Sequence, residues 1–176
     1  MLKRLRVSFW LFFILASVLL LTLTPPPASA TSFTDAFENV NADHLFRGTS
    51  FSESTPASFY VSLHITSCTD SAVGTEVSGG SYARIAVARS QAAWNGTHGT
   101  NIGASSGTNG TISNNGAIDF AAPTANWGLI SSFGINSALT GGVQYVCEDL
   151  TTPKTVNNGD AAPSFAPAAL TIQVDN

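Results

Sequence analysis

The sequence predicts an all-β domain, a β-sandwich or jelly-roll-like fold with one short N-terminal helix. Three observations lead to this prediction. Short segments rich in β-branched and aromatic residues recur along the chain, glycine and proline separate them, and one stretch near the front has helical spacing. Without its leader the chain has about 146 residues, which suits a single domain with a buried core.

Residues 1–30 have the pattern of a secretory signal peptide. A basic start, an apolar run of 17 residues and a small-x-small site follow one another, at Lys3 to Arg6, Val7–Leu23 and Ala28-Ser29-Ala30. An uncleaved membrane anchor is the alternative, although such a run is short for a membrane span. We expect cleavage before Thr31, and a mature domain of residues 31–176 that contacts no membrane.

The charge of the mature domain argues against binding to nucleic acid. The leader holds three of the seven Lys and Arg residues, so four face eleven acidic residues in the rest of the chain. Phosphate neutralisation needs clustered Lys and Arg, and no such cluster is present in the sequence of the mature domain.

The helix is expected at residues 33–47. Apolar side chains recur there at helical spacing, Thr34 is placed to cap the N-terminus, and Gly48 is placed to end the helix. Six segments predict strands, namely 58–66, 82–90, 117–121, 129–136, 143–148 and 169–174. Residues 95–116 are rich in Gly, Asn, Ser and Thr and are predicted to form a long loop.

Cys68 and Cys147 predict a disulfide. An even number of cysteines in an exported chain favours a bridge, and this one would close a loop of about 79 residues. Two buried free thiols are the alternative. A zinc site is disfavoured because no C-x₂-C pair is present.

Motifs for catalysis are absent from the sequence. His44, His64 and His98 form no metal-binding motif, and no nucleophile elbow, H-E-x-x-H run or phosphate loop occurs. We therefore expect no enzyme activity, no catalytic residues, no metal and no cofactor. Lys154 is expected to be a surface residue of a turn.

Aromatic residues offer the best candidates for surface contacts. Trp94, Asn95 and His98 lie where the Gly/Asn-rich loop begins, and an aromatic ring there would suit the face of a sugar or a protein ligand. The alternative is that the aromatic residues pack in the core. A core of Phe120, Trp127, Phe133 and Phe165 is expected in either case.

The segment Glu76 to Arg84, EVSGGSYAR, is predicted to be a structural motif. Gly79 and Gly80 allow a turn with positive φ, after which Tyr82 and Arg84 share one face of the following strand. Glu76 then lies close enough for an ion pair with Arg84. Fixing a loop is the simplest role for these residues.

These blocks resemble a known family. EVSGGSYAR, the segment TPKTVNNGD from Thr152 to Asp160, and the segments between Phe33 and Asp175 in the same order are similar to short tail fibre proteins or minor tail subunits of tailed bacteriophages. The resemblance implies a non-enzymatic virion protein, a tail fibre or virion-surface subunit. Its partners would be copies of itself or other virion proteins, and it would contact a host surface glycan or protein.

The leader and the two cysteines depart from that family, because virion proteins assemble in the cytoplasm. Localisation in the virion and secretion therefore both stay open. The alternative function is a secreted cell-surface module, built on the same fold, that binds a glycan or a protein.

Overall fold

The computed structural model describes residues 33–48, 56–69, 71–96, 105 and 110–173, and these form an antiparallel β fold with one helix. The helix is α1 (Asp35–Arg47), and the strands, in chain order, are β1 (Ser58–His64), β2 (Ile85–Ala88), β3 (Trp94–Asn95), β4 (Ile112–Asn114), β5 (Ile118–Asp119), β6 (Gly128–Asn136), β7 (Gln144–Val156), β8 (Ser164–Phe165) and β9 (Thr171–Ile172). The expected fold class is confirmed. The proposed signal peptide, residues 1–30, lies outside the described residues.

Helix α1 has the predicted cap and stop, but it begins at Asp35 and not at residue 33, because Thr34 is its N-cap. The Thr34 hydroxyl accepts a hydrogen bond from the Phe37 N–H, and Gly48 takes the left-handed conformation at φ 66°. None of its residues is buried, so the helix lies on the surface of the domain. Leu45 and Phe46 at its end are 72% and 86% exposed.

The main sheet has four strands in the order β2-β1-β6-β7. Because side chains alternate along a strand, the register decides which residues share a face. Val61 lies opposite Ile135 and Leu63 opposite Phe133, and these four side chains face the core. The intervening residues of β1 and β6 face the other side of the sheet.

Two smaller sheets, β3-β4-β9 and β5-β8, contribute to the same core. Phe120, Trp127 and Phe133 are buried in it as predicted, and Phe165 packs against them while half-buried. The rings of Phe133 and Phe165 meet edge to face with centroids 5.7 Å apart.

Strand β7 forms an edge of the main sheet, and it is longer than the sequence predicts. Lys154 lies inside this strand opposite Ile130, so its expected place in a turn is wrong. The turn comes later, where the Asp160 N–H donates to the Asn157 carbonyl oxygen. Pro153 lies where the register between β6 and β7 shifts and has no partner in β6, and proline is tolerated at such positions of an edge strand.

The outer edge of β7 is covered at its first half. Phe33 forms an antiparallel bridge with Val146, and the Thr34 N–H donates to the carbonyl oxygen of Tyr145. The second half carries Pro153 and a register shift between Ile130 and Ser132 of β6.

The predicted loop of residues 95–116 is shorter in the structure. Asn95 belongs to β3, and residues 112–114 form β4, which pairs with β3 and β9. Asn114 explains why an Asn-rich segment enters the core. Its side-chain amide donates to two carbonyl oxygens, of Gly116 and Ala166, and its oxygen accepts the Leu170 N–H.

Candidate functional site

The face of the main sheet that points away from the apolar core carries buried polar side chains. Ser62, His64, Ser132 and Asn136 are each at most 2% exposed, and Cys147 on β7 is 3% exposed. We call these five residues the polar face. Residues 65–69 and 71–75, which we call the covering segment, lie over it, and the Ser132 hydroxyl donates to the Thr66 carbonyl oxygen at 2.8 Å.

Hydrogen bonds connect the members of the polar face. Ser62 Oγ lies 2.9 Å from His64 Nε2 and accepts a hydrogen bond from the Asn136 amide, also at 2.9 Å. The same hydroxyl lies 3.4 Å from the Gly134 carbonyl oxygen. Buried polar groups need such partners, since an unpaired one costs about 1 to 3 kcal/mol.

His64 is held neutral by its surroundings. Burial lowers its pKa, the negative charge of Glu76 acts in the opposite direction, and the positive charge of Arg84 lowers the pKa further. The net direction is downward, so the ring is uncharged at neutral pH.

The predicted disulfide is confirmed. Cys68 and Cys147 are joined with their Cα atoms 5.9 Å apart and 79 positions apart in sequence. Cys147 Sγ lies 3.9 Å from His64 Nδ1, and the Cys68 N–H donates to Asp149 Oδ1 at 3.3 Å. The bridge therefore fastens the covering segment to β7 beside the His64 ring.

Gly74 allows the covering segment to lie directly on the His64 side chain. A Cβ atom at Gly74 would come within 2.8 Å of His64 Nδ1 and within 2.7 Å of the Thr66 carbonyl oxygen. Only a residue without a side chain fits that space.

A second cluster, formed by Glu76, Tyr82 and Arg84, lies next to the polar face. We call it the guanidinium cluster. Arg84 Nε donates to Glu76 Oε1 at 2.8 Å, Nη2 donates to Oε2 at 2.7 Å, and the Tyr82 hydroxyl donates to Oε1 at 2.9 Å. The ion pair that the sequence predicts is thus present in bidentate form.

The guanidinium cluster joins three parts of the chain. Arg84 Nη1 donates at 2.8 Å to each of the carbonyl oxygens of Ala138 and Gly141, in the connection between β6 and β7. Tyr82 Oη accepts the Leu63 N–H of β1. Because the Arg84 side chain is only 11% exposed, its hydrogen bonds are shielded from water.

Charge pairing sets the ionisation of this cluster. Burial acts to raise the pKa of the Glu76 carboxyl, but the hydrogen bonds from Arg84 and Tyr82 and nearby positive charge outweigh it, so the pKa is lowered. The hydrogen bond to Glu76 raises the pKa of Arg84. Burial raises the pKa of the Tyr82 hydroxyl.

The Gly-Gly turn has the expected positive φ, but Tyr82 and Arg84 lie before β2, which begins at Ile85, and not in the strand as predicted. Gly79 and Gly80 have φ of 74° and 57°, and Ser81 follows at 66°. The Trp127 indole N–H donates to the Gly80 carbonyl oxygen at 2.9 Å, and the Tyr82 ring meets Trp127 edge to face. The turn is thereby attached to the aromatic core.

Two of the three predicted surface-binding residues are not at the surface. Trp94 is 8% exposed and donates its indole N–H to the Ala88 carbonyl oxygen, and Asn95 is 4% exposed. Packing of β3 against β4 buries both, so they do not offer the expected contact surface. His98 lies outside the described residues.

The contact between His64 and the two cysteines is not predicted by the sequence motifs. The spacing of four residues between His64 and Cys68 is the one local sign of this contact. Cys147 reaches the His64 ring only through the register of β1, β6 and β7. Ser62 and His64 have the pairing of a nucleophile with a base, although both side chains are closed to solvent in this structure.

Comparison with known proteins gives the family. Residues 32–173 match the family described as podophage GP4 fiber I protein gp80. The chain belongs to this fiber I protein family. The match confirms the resemblance to phage tail fibre proteins, and it makes the chain a virion fibre protein. A search of curated proteins finds no match.

The fiber I match spans both structural features described above. It includes the guanidinium cluster and the polar face with its disulfide. Among the residues that the structure describes, no helix is long and apolar enough to cross a membrane.

Proposed function

We propose that this fiber I protein is a non-enzymatic structural subunit, assembled into the virion with copies of itself or with other virion proteins. The observation that carries the proposal is the family match over residues 32–173. A structural role is also supported by the guanidinium cluster. Its residues Glu76, Arg84 and Tyr82 form hydrogen bonds to one another and to backbone groups.

Mass spectrometry of purified phage particles tests this proposal. We expect peptides from several parts of residues 31–176, in an amount that corresponds to multiple copies per particle. Particles that lack the protein, from cells in which it is abundant, would refute a role in the virion.

Self-association is supported by the exposed end of helix α1. Leu45 and Phe46 are large apolar residues at 72% and 86% exposure, where a second copy of the chain would bury them. Light scattering should show an oligomer for the wild type and a lower mass for L45S/F46S. Leu139→Ser changes an apolar residue of 50% exposure elsewhere and should leave the mass unchanged.

Contact with a host surface is the further part of the proposal. Purified protein should compete with phage for adsorption to host cells if it makes that contact. Adsorption that is unaffected by an excess of the protein would limit its role to assembly.

A secreted binding module is the second candidate, and the disulfide favours it. Disulfides persist in oxidising compartments, and the sequence begins with the pattern of a signal peptide. A native N-terminus at Thr31 together with protein in the culture medium would support secretion. An intact N-terminus in the cytoplasmic fraction would argue for the virion subunit alone.

A further inference from the structure

We propose that His64, Cys68 and Cys147 form a binding site for Zn²⁺ when the disulfide is reduced. Their ligand atoms lie within 4.8 Å of one another, and all three residues are buried. This inference concerns a second state of the cluster and does not depend on the function proposed above.

The distances are close to those that zinc requires. With Zn–S bonds of about 2.3 Å and a Zn–N bond of about 2.0 to 2.1 Å, a tetrahedral ion separates two sulfurs by about 3.8 Å, and a sulfur from a nitrogen by about 3.6 Å. Cys147 Sγ already lies 3.9 Å from His64 Nδ1. Reduction breaks the sulfur–sulfur bond, so the two sulfurs separate toward the spacing that zinc needs.

The hydrogen bonds of His64 suit metal binding through Nδ1. A ligating histidine donates its other N–H to a neighbouring acceptor, which fixes the ring and its tautomer. Ser62 Oγ lies 2.9 Å from Nε2 and 3.4 Å from the Gly134 carbonyl oxygen. Ser62 can therefore accept the Nε2–H and donate to Gly134, while the Nδ1 lone pair faces the sulfurs.

The environment of the cluster favours a soft ion. Two thiolates and a neutral imidazole are typical ligands of zinc, and a neutral ring is the binding form of histidine. Gly74 lies against Nδ1 and has no Cβ atom that would crowd the ring nitrogen. A water molecule would supply the fourth ligand.

Reduction of the disulfide by two electrons opens the site. A phosphine reductant transfers two electrons to the disulfide, two protons from water complete the two thiols, and the oxygen leaves as phosphine oxide. Zn²⁺ then replaces the two thiol protons, which are released to solvent. In a cell, the newly made chain is already reduced in the cytoplasm. The same two sulfurs would therefore bind zinc in the cytoplasm and form the disulfide in an oxidising compartment.

The test is a titration of the full chain, reduced with a phosphine, with Co²⁺ followed by Zn²⁺. We expect one Co²⁺ per chain with a thiolate charge-transfer absorption, displacement by one Zn²⁺, and no uptake at this site by the oxidised chain. His64→Gln should weaken the affinity at least tenfold. Cys68→Ser should remove about half of the charge-transfer intensity, and the exposed His44 on helix α1 supplies the control His44→Gln, with unchanged binding.

Either of two binding results would overturn the proposal if the reduced chain stays folded. One is a reduced wild type that takes up no more Co²⁺ than C68S/C147S, and the other is H64Q that binds as tightly as the wild type. Circular dichroism covers the case in which reduction unfolds the chain, because zinc binding should then restore the β signal. A reduced chain that neither binds nor refolds with zinc contradicts the proposal equally.

Discussion

Arg84 binds both carboxylate oxygens of Glu76, with Nε–Oε1 and Nη2–Oε2 distances of 2.8 and 2.7 Å. The same guanidinium reaches two backbone carbonyl oxygens in the β6–β7 connection, of Ala138 and Gly141. One side chain thus holds the Gly-Gly turn and this connection in fixed positions. The exposed pair of Asp43 and Arg47 on helix α1 provides a natural comparison, with its side chains 45% and 69% exposed.

Replacement of Arg84 by alanine should lower the free energy of unfolding by about 2 to 3 kcal/mol, because it leaves a half-buried carboxylate and two carbonyl groups without their partner. Arg47→Ala, the matched control on the surface, should cost less than about 0.5 kcal/mol. Urea denaturation measures both. Equal losses in the two variants would show that the guanidinium cluster contributes no more than a surface pair.

Acidification should destabilise the protein through Glu76. Its pKa is lower in the folded chain than in the unfolded chain, so the ion pair contributes fully above the unfolded pKa and is lost as the pH falls through the folded pKa. Glu76→Gln should be less stable than the wild type at about pH 7, and the difference should shrink toward about pH 3. Denaturation midpoints across that range give the comparison, and a difference independent of pH would contradict the assignment.

Removal of the disulfide should cost about 4 kcal/mol, because the bridge closes a loop across 79 positions and restricts the unfolded chain. The variant C68S/C147S, measured with a chelator present, isolates this effect from any metal. The wild type under reducing conditions with the same chelator should show a similar loss. A variant as stable as the oxidised wild type would mean that strain in the native bridge cancels its entropic effect.

The two glycines of the turn should respond differently to alanine. Gly79 has open space around its Cβ position, so only its positive φ opposes the change, at about 1 to 2 kcal/mol. A Cβ atom at Gly80 would come within 2.9 Å of Trp127 Nε1 and Ala125 Cβ, so Gly80→Ala should cost about 1 to 3 kcal/mol more. Trp127 fluorescence in thermal melts reports both variants. A Gly80→Ala protein as stable as Gly79→Ala would show that Trp127 moves aside freely.

The sequence predicted those contacts whose two residues lie close together in the chain. Glu76 and Arg84 are eight residues apart across a Gly-Gly turn, and the Thr34 cap and the Gly48 stop depend only on their own helix. The apolar alternation of β1 and β6 likewise predicts their buried face.

The polar face could not be predicted in this way, because it depends on register. His64 and Cys147 meet only because β1 and β7 both flank β6, with His64 opposite Ser132 and Cys147 opposite Gly134. Burial of Asn114 and Asn95 was missed for another reason. Asparagine has low β propensity, and backbone groups distant in sequence satisfy the Asn114 amide.

The protected edge of β7 has a consequence for a protein that accumulates in many copies. An open strand edge recruits the edges of other chains without limit, which leads to fibrillar aggregates. Phe33 bridges Val146 and Thr34 bonds to the carbonyl oxygens of Gln144 and Tyr145 near the start of β7, and Pro153 removes a donor from the second half. Continuous strand addition along β7 is therefore hindered, which favours contacts between crowded subunits through side chains and an assembly of defined size.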